Sequence, residues 1–590
     1  MAQTHRAFSF GLGTLLSRVS GLAREMILAR FFGASVLLDA YFVAYRIPNL
    51  FRDLLAEGAL GSAFTKNYVQ LRDISKNKAL ALLTHVLCFA FLITSLLCSL
   101  GIIYRKSIVY LLTTLSTADS LPLIQTTETV AAILFPLMIL SSLSAVMSGV
   151  LYQEKKFFIS SLSPVLLNGS IIITVLFLSS YIHEIFSFLP LINSLDPKLA
   201  ALSVATLLGG LGQLLWLTAP LCKRLLGYFF CKHFLKSLLK PLNHHQALMA
   251  TIKESLPMMA AASVAQLSLI INTNFATSLE IGSVSWLSFA FRLIQLPVGL
   301  FAVAIATVIL PALARELHSQ KASHSNTHNS SQAIEEMQQG LKWTFFLMLA
   351  CSVVILLEGR SIITLLFYGG AFDNTDLLMT EKALTAYSFG IIGYGISKVL
   401  LSYIYAASLT NYALKVAVLC LIISVTLNAL WIDKWGIITL AGVSAAVFSL
   451  QALLLGYKCY SSLASTATKL TPIFALTKSI AIYLSAASLC ALMYVFLKTF
   501  SSLLHPLKEE NFPNNATAME WKWAAFYNLS ILGCIVFVVF FLGLCIEYKS
   551  TPKTILSKLR LSGLKLSKHN QGSVVQKRVT HHTKKNKDKQ

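Results

Sequence analysis

Fourteen apolar segments, most of them about 20 residues long, recur along this chain of 590 residues. Segments of this length match the hydrocarbon thickness of a bilayer, whereas the strands of a membrane barrel would alternate over about 10 residues. Only 12% of the residues are charged, compared with about 25% in soluble domains. The pattern predicts an all-α polytopic membrane protein with about 14 transmembrane helices. The predicted spans lie near residues 12–33, 36–65, 79–104, 126–152, 158–180, 199–221, 249–275, 284–314, 341–368, 379–407, 412–431, 436–457, 472–498 and 522–547.

Lysine and arginine are distributed unequally between the two sets of loops. With the N-terminus inside, the cytoplasmic connections and the C-terminal tail hold 31 of them, and the opposite loops hold about seven. This is the positive-inside bias, and an even number of spans returns the chain to its starting side. We therefore expect both termini in the cytoplasm, with residues 548–590 as a basic tail. The same distribution argues against nucleic acid as a partner, despite a net charge of +23.

Four arginines lie in the first, second and eighth spans, where charge is costly. An arginine at mid-bilayer costs about 2.5–3.5 kcal/mol on the insertion scale, so such residues face a bundle interior or a cavity. Arg18, Arg24, Arg52 and Arg292 together predict a polar cavity. Guanidinium groups bind planar anions bidentately, which favours an anionic substrate. A lipid-linked phosphate suits the membrane setting, and a soluble anion would suit the same chemistry.

The spacing within the first span places polar residues on one face of a helix. Ser17 and Arg24 are seven residues apart, and so are Arg18 and Glu25. Residues seven apart lie nearly on one line along an α-helix. Arg18, Arg24 and Glu25 are therefore expected to face a common space.

Motifs typical of enzymes are missing from the sequence. It contains no GxxxxGK[ST] loop and no HExxH motif, and its ten cysteines show no CxxC spacing. We therefore expect a transporter with no catalytic residue, no metal and no cofactor.

Two distant stretches of the chain are weakly similar to each other. "ARFFGASVLLDAYFVAYRIP" joins the first two spans, and "ATSLEIGSVSWLSFAFRLIQLP" joins the seventh and eighth. The similarity suggests two related six-span lobes, residues 1–225 and 245–460, followed by an extra pair of spans at 472–547. Repeats of this kind place a substrate site between the lobes and permit rocking between inward and outward states.

Several long stretches resemble one known family. "SRVSGLAREMILARFFGAS" and "DAYFVAYRIPNLFRDLLAEGALGSAF" are followed in order by "SLPMMAAASVAQLSLIINT", "GSVSWLSFAFRLIQLPVGLFAVAIATVILPALAR" and "LLFYGGAFDNTD". They resemble the MurJ (MviN) lipid II flippases of the multidrug/oligosaccharidyl-lipid/polysaccharide exporter superfamily. The resemblance covers about residues 1–460, and the last two spans are similar only in kind.

The resemblance implies a fold, a substrate and a location. The fold would be two six-helix lobes in a V with two extra helices, whose groove takes a lipid tail. The activity would be movement of undecaprenyl-pyrophosphate-linked peptidoglycan precursor (lipid II) from the inner to the outer leaflet by alternating access, for cell wall synthesis. The location would be the bacterial inner membrane. Expected partners are the lipid-linked precursor, membrane lipids and other cell-wall synthesis proteins.

The resemblance also implies roles for individual residues. By position, the four arginines named above would hold the pyrophosphate. Asp39 matches a functional acid of the second helix, and Glu25 stands where an acid is usual. Ser17 and Ser263 match polar positions of the cavity.

The chain departs from the family pattern at positions that affect charge. Phe291 and Gln295 stand where acids often flank the arginine of the eighth span, and Asp53 replaces a basic residue. These changes leave the charge balance of the cavity and any coupling ion open, whereas the four arginines are retained.

Two other classes of membrane protein remain as alternatives. A drug or metabolite exporter, or another polysaccharide-lipid exporter, of the same superfamily would share the fold, and a drug exporter should have a less cationic cavity. A non-transporting scaffold would have no use for costly intramembrane arginines. Depletion of the protein followed by an assay of lipid-linked precursor would distinguish these classes of protein.

Overall fold

A computed structural model describes residues 2–52, 60–113, 121–222, 249, 263–264, 266–310, 313, 330–407, 409–464 and 518–547. These residues are almost entirely helical, and within them the only bridge of strand type is an isolated pair between Gly369 and Phe372. The predicted all-α class is therefore confirmed.

The helices are numbered here in chain order. Those before residue 222 are α1 (Ala2–Phe32), α2 (Val36–Arg52), α3 (Leu60–Ile74), α4 (Lys76–Ile103), α5 (Arg105–Leu112), α6 (Leu121–Leu134), α7 (Leu137–Gln153), α8 (Phe157–Ile173), α9 (Ser179–Phe186), α10 (Pro190–Asn193) and α11 (Pro197–Thr218). Those after residue 265 are α12 (residues 266–277), α13 (Ser283–Pro297), α14 (Ser330–Leu366), α15 (Asn374–Ser388), α16 (Ile391–Ala406), α17 (Thr410–Trp435), α18 (Ile437–Ala464) and α19 (Ala518–Glu547).

Seven helical segments in the described part of the chain are long and apolar enough to cross a membrane. Two further pairs of helices pass the same test together, which raises the number to nine if each bent pair is one span. Large apolar side chains such as Leu92, Phe177 and Leu453 point outward, with more than 65% of their surface exposed. An exposed apolar surface of this kind is expected for helices that contact lipid.

The structure refines several of the predicted spans. The second span is described as two helices, α2 and α3, with residues 53–59 outside the described part. The fourth span bends by 43° between α6 and α7 at Pro136, because proline cannot donate its backbone hydrogen bond. The tenth bends by 49° between α15 and α16. The predicted thirteenth span, residues 472–498, lies outside the described residues.

The helices pack in two groups that follow the order of the chain. Before residue 222, α1 and α11 pack on α8, α2 packs on α6, and α7 contacts α4 and α11. After residue 265, α18 packs on α15, α16 and α17, and α14 packs on α16 and α19. The groups meet where α13 contacts α1 and α2. The space between these three helices therefore lies at the junction of the two groups.

Two short π-helical segments interrupt the spans. Thr174–Leu178 follows α8, and Val298–Ala302 follows α13. A π-helical turn widens the helix locally and is frequent at functional sites. The second segment begins directly after Pro297, on the helix that carries Arg292.

Candidate functional site

A cavity of about 890 Å³ lies between the first group of helices and α13. Most of its lining comes from α1, α2, α7, α8 and α11, and α13 covers one side. Its size falls within the range of about 300–1,000 Å³ that is typical of ligand sites. Four of the candidate site residues line it: Ser17, Arg18, Arg24 and Arg292.

The helical spacing of α1 accounts for this placement. Ser17, Arg18, Gly21 and Arg24 follow one another at intervals of one, three and three residues, which keeps them on one side of the helix. Arg292 approaches the same space from α13, which belongs to the second group of helices. The cavity therefore combines cationic side chains from both groups.

Glu25 links two of these arginines. Arg24 Nη2 lies 2.5 Å from Glu25 Oε1, and Arg292 Nη2 lies 3.3 Å from the same oxygen. The carboxylate is almost fully buried, whereas the Arg292 side chain keeps 44% of its surface exposed. The Glu25 carboxylate thus contacts two guanidiniums, and because Arg18 lines the same cavity, the cluster holds more positive than negative charge.

Asn168 on α8 fixes the orientation of Arg24. Arg24 Nη1 donates to Asn168 Oδ1 at 3.0 Å, and Asn168 Nδ2 donates to Ser20 Oγ at 2.9 Å. The amide therefore presents its acceptor to the arginine and its donor to α1. This arrangement leaves the Arg24 side chain held by two partners on different helices, Glu25 and Asn168.

Arg18 packs against a glycine of the second π-helical segment. A Cβ atom placed on Gly299 would overlap the Arg18 guanidinium, so only the absence of a side chain permits this approach. Gly299 is also the residue two positions after Pro297, where the backbone departs from α-helical geometry. Arg18 therefore extends from the first group of helices to the second.

Asp39 does not line the cavity. Its Oδ2 accepts a hydrogen bond from Gly282 N at 2.7 Å, and its Oδ1 accepts from Ser285 N at 2.8 Å and Ser285 Oγ at 2.5 Å. The first N–H groups of a helix have no partner within the helix, and their end of the helix carries positive potential. Asp39 on α2 supplies both the acceptors and the negative charge for the start of α13. The structure thus places it in a contact between the two groups of helices.

A second carboxylate strengthens this contact. Asp376 on α15 accepts from Ala34 N at 3.0 Å and from Trp286 Nε1 at 2.8 Å. Nearby, Ala371 N donates to Arg30 O at 2.8 Å. Gly282 has φ +97°, and a Cβ there would meet Ala34 O and the Trp286 ring. The short α1–α2 connection is therefore held closely against the second group.

These contacts lie at one end of the cavity. Arg24 precedes Gly33 by nine residues, which is about 14 Å along α1 at the helical rise per residue. The arginine cluster is thus separated from the Asp39 and Asp376 contacts by about two and a half turns of helix. The two groups of helices are joined at the α1–α2 connection. The cavity arginines on α1 precede this connection.

Three of the candidate residues whose side chains the structure describes do not line the cavity: Asp39, Ser263 and Glu25, which reaches it only through Arg24 and Arg292. Ser263 is half-buried and is not among the residues that line the cavity. Arg52 is the last residue of α2, and its side chain lies outside the described part of the structure. Phe291, one of the departures from the family pattern, packs on Tyr387, Tyr394 and Phe448. Gln295 lines the cavity and accepts a hydrogen bond from Arg292 Nη1 at 3.3 Å.

A set of serines on the cavity wall was not predicted from the sequence. We call them the serine wall: Ser141, Ser144 and Ser148 on α7, and Ser160 and Ser163 on α8. The α7 members recur at intervals of three and four residues, which is the signal of one helical face. Serine also occurs at helix contacts in membranes, so this signal alone does not indicate a site.

The described residues contain no group of three or more His, Cys, Asp or Glu residues that could hold a metal ion. The polar side chains that line the cavity in the described part of the chain carry guanidiniums, hydroxyls and amides, and the Glu25 carboxylate contacts two of the guanidiniums. Such a set suits recognition of an anionic ligand with further polar groups.

A family model and individual relatives indicate the same family for this chain. The chain matches the family model for the lipid II flippase MurJ over residues 28–508. The match extends beyond residue 460, the expected limit of the resemblance, and it begins after Arg18 and Arg24. The lipid II flippase MurJ of Burkholderia cenocepacia is 32% identical over 450 residues, which are 75% of this chain and 81% of that protein.

Solved structures share the fold. One of lipid II flippase MurJ in an inward closed conformation gives a TM-score of 0.65 at 22% identity, covering 92% of this chain and 98% of that chain. An inward-facing multidrug resistance MATE transporter of the MOP superfamily gives 0.53 at 14% identity, covering 78% and 96%.

Proposed function

The chain belongs to the MurJ family of lipid II flippases, and we propose that it moves lipid II from the inner to the outer leaflet of the bacterial inner membrane. In this proposal the substrate is the undecaprenyl-pyrophosphate-linked peptidoglycan precursor, and the activity supports cell wall synthesis. The protein is a membrane transporter of the MOP type, and its proposed activity is to bind the substrate and move it across the membrane.

The observation that carries the proposal is the convergence of Arg18, Arg24 and Arg292 on one cavity. The three arginines come from both groups of helices, and among the described residues Glu25 is the acid that pairs with two of them. Unit charges interact far more strongly in a site shielded from bulk water. Three guanidiniums together suit a compact anion with several oxygens, and a pyrophosphate is such an anion.

Glu25 has a clear role in this account. Between substrate visits its carboxylate neutralises part of the positive charge and holds Arg24 and Arg292 in place. When a pyrophosphate enters, its oxygens compete with Glu25 for the same guanidinium donors. Glu25 thus keeps the two guanidiniums in position when the cavity is empty, and their N–H groups remain available to the substrate. Arg52, at the end of α2, is proposed as a fourth member of the cationic set.

The domain organisation follows from the same proposal. Residues 1–225 and 245–460 are the two lobes, 472–547 form a groove for the lipid tail, and 548–590 are a cytoplasmic tail. With both termini in the cytoplasm, the Asp39 and Asp376 contacts lie on the outer side of the membrane. The described conformation is then closed outward, and alternating access requires these contacts to break.

A direct test uses cells in which this chain is the only lipid II flippase. Its depletion should raise the total lipid-linked precursor and lower the fraction that a membrane-impermeant hydrolase can reach. Re-expression of the intact chain should restore both values. An unchanged outer-leaflet fraction during depletion would contradict the proposal. A change in drug efflux without a change in precursor would instead favour a drug exporter of the same superfamily.

A further inference from the structure

The serine wall faces the same cavity as the arginines but has different chemistry. A hydroxyl group has one proton to donate and two lone pairs that accept. Ser141 Oγ donates to Met138 O at 3.2 Å, and Ser163 Oγ donates to Ser160 O at 2.9 Å. Ser163 Oγ also accepts from Gln213 Nε2 at 3.4 Å. These two hydroxyls therefore have only lone pairs left to offer a ligand, two on Ser141 and one on Ser163.

The remaining members show a similar balance. The hydroxyls of Ser148 and Ser160 bond to each other, which uses one of their two protons. Ser144 is 3% exposed, lines the cavity, and its Oγ has no hydrogen-bond partner among the described residues. A buried hydroxyl without a partner costs free energy, and native proteins retain such groups where a ligand or water completes the bond. The unpaired Ser144 hydroxyl thus indicates that a ligand or water completes the hydrogen bonding of the serine wall.

The arginine end and the serine wall divide the cavity by hydrogen-bonding character. Guanidiniums are donors only, and they suit the oxygens of a phosphate. The serine wall offers mainly acceptors, and it suits a ligand that carries O–H and N–H groups. A second anion would place its own lone pairs against those of the serines. The wall therefore favours an uncharged, hydroxyl-bearing group.

Distance along α8 connects the two ends. Asn168 bonds to Arg24, and Ser163 and Ser160 precede it by five and eight residues. At the helical rise per residue these intervals are about 8 and 12 Å. These distances are short enough for one molecule to span both ends. A sugar bonded directly to a pyrophosphate could lie at the serine wall while the arginines hold the pyrophosphate.

We propose that the serine wall is a subsite for the uncharged amino-sugar part of the substrate headgroup, whose O–H and N–H groups donate to the serine oxygens. This inference rests on the proposed function, because it assumes that the arginines hold the pyrophosphate of the same molecule. The serine wall then determines which headgroups are accepted, and the arginines supply affinity for any lipid pyrophosphate.

The test compares two ligands on the purified full-length protein in lipid nanodiscs. One probe is undecaprenyl pyrophosphate, which has no sugar, and the other is lipid II. The variants are Ser144→Ala and Ser141→Ala, and the matched control is Ser142→Ala. Ser142 is buried on the same helix and donates to Met138 O, but it does not line the cavity.

The two Ala variants should each raise the Kd for lipid II by about threefold to tenfold, the effect of one neutral hydrogen bond. Their Kd for undecaprenyl pyrophosphate should equal that of the intact protein, and Ser142→Ala should change neither value. A Ser144→Cys variant keeps the side-chain volume with a weaker acceptor and should behave as Ser144→Ala does, which guards against a folding defect.

The possible results separate the subsite from the function itself. Equal losses for both probes, no loss for either, or equal affinity of the intact protein for both probes would overturn the sugar subsite. Failure of the intact protein to bind undecaprenyl pyrophosphate, or unchanged binding in Arg24→Ala, would instead overturn the pyrophosphate site of the proposed function.

Discussion

Asp39 on α2 accepts two hydrogen bonds from Ser285, one from its N–H at 2.8 Å and one from its hydroxyl at 2.5 Å. The two residues are 246 positions apart in the chain and belong to different groups of helices. A carboxylate placed at the start of a helix supplies acceptors for unpaired N–H groups and compensates the helix dipole. The junction of the two groups therefore depends in part on this buried carboxylate, alongside the contacts made by Asp376.

The first prediction concerns this junction. Asp39→Ala should loosen it, because the N–H groups of Gly282 and Ser285 lose their acceptor. A reporter cysteine at Ala34, in a chain whose ten native cysteines are replaced, should then react faster with a membrane-impermeant thiol reagent. Glu280→Gln is the control, since it removes an exposed acid two residues before Gly282. Equal labelling rates in Asp39→Ala and the parent would show that the contact does not hold the outer side closed.

The second prediction concerns Glu25. Glu25→Gln removes the carboxylate shared by Arg24 and Arg292 and leaves both guanidiniums without compensation. Loss of one partner from a buried ion pair costs about 3–5 kcal/mol, so the Tm of the purified protein should fall. Inorganic pyrophosphate should recover much of the loss, because it replaces the missing anion.

Glu184→Gln, which changes an exposed acid on α9, is the control for this measurement and should leave the Tm unchanged. A Tm of Glu25→Gln that stays at the parental value, or that pyrophosphate does not raise, would mean that Glu25 is not the internal counter-ion of the cavity.

The third prediction concerns Gly299. Gly299→Ala should displace the Arg18 guanidinium, because a Cβ atom would occupy its position. We expect the rate of lipid II flipping to fall about tenfold, since misplacing a binding group by an ångström is costly. Gly212→Ala is a suitable control, because a Cβ at Gly212 would meet nothing within 4 Å. Flipping at the parental rate in Gly299→Ala would show that this position of Arg18 has no part in transport.

The fourth prediction concerns orientation and comes from the loop charges. A reporter that is active only outside the cytoplasm should be silent when fused after Lys549 or within residues 225–245. The same reporter should be active within residues 500–515, because that loop follows an odd number of spans. Activity of the fusion after Lys549 would contradict a cytoplasmic C-terminus.

The cavity arginines could be predicted because charge is so unfavourable in an apolar span. Arg18, Arg24 and Arg292 each break a long apolar run, and burial against a shared cavity is the cheapest solution. The family resemblance implied a functional role for Asp39 beside them, and the structure places it at the start of α13. Sequence spacing places a residue on a helical face, but it does not reveal which distant helix terminus that face meets.

Other features of the site were missed for physical reasons. Serine is small and neutral, so the serine wall does not disturb the apolar pattern of α7 and α8 as an arginine does. The contact of Arg18 with Gly299 depends on a π-helical turn, and no local motif announces where such a turn forms. The bends at Pro136 and before Ile391 divide spans that appear continuous in hydropathy alone.

The central claim is that the cationic cavity binds the pyrophosphate of lipid II during transport. Its most direct test is the outer-leaflet fraction of lipid-linked precursor in cells that rely on a single variant. Arg24→Ala and Arg292→Ala should abolish flipping while the protein still inserts, because removing an intramembrane charge relieves an insertion cost. Arg24→Lys should restore only part of the activity, since an ammonium lacks the bidentate fork.

The matched controls for this measurement are Arg30→Ala and Arg46→Lys. Neither residue lines the cavity, and Arg30 is exposed at the far end of α1. Both variants should keep an outer-leaflet fraction close to that of the intact chain, while the two cavity variants fall to the level of depleted cells. A normal outer-leaflet fraction in both Arg24→Ala and Arg292→Ala would contradict the account.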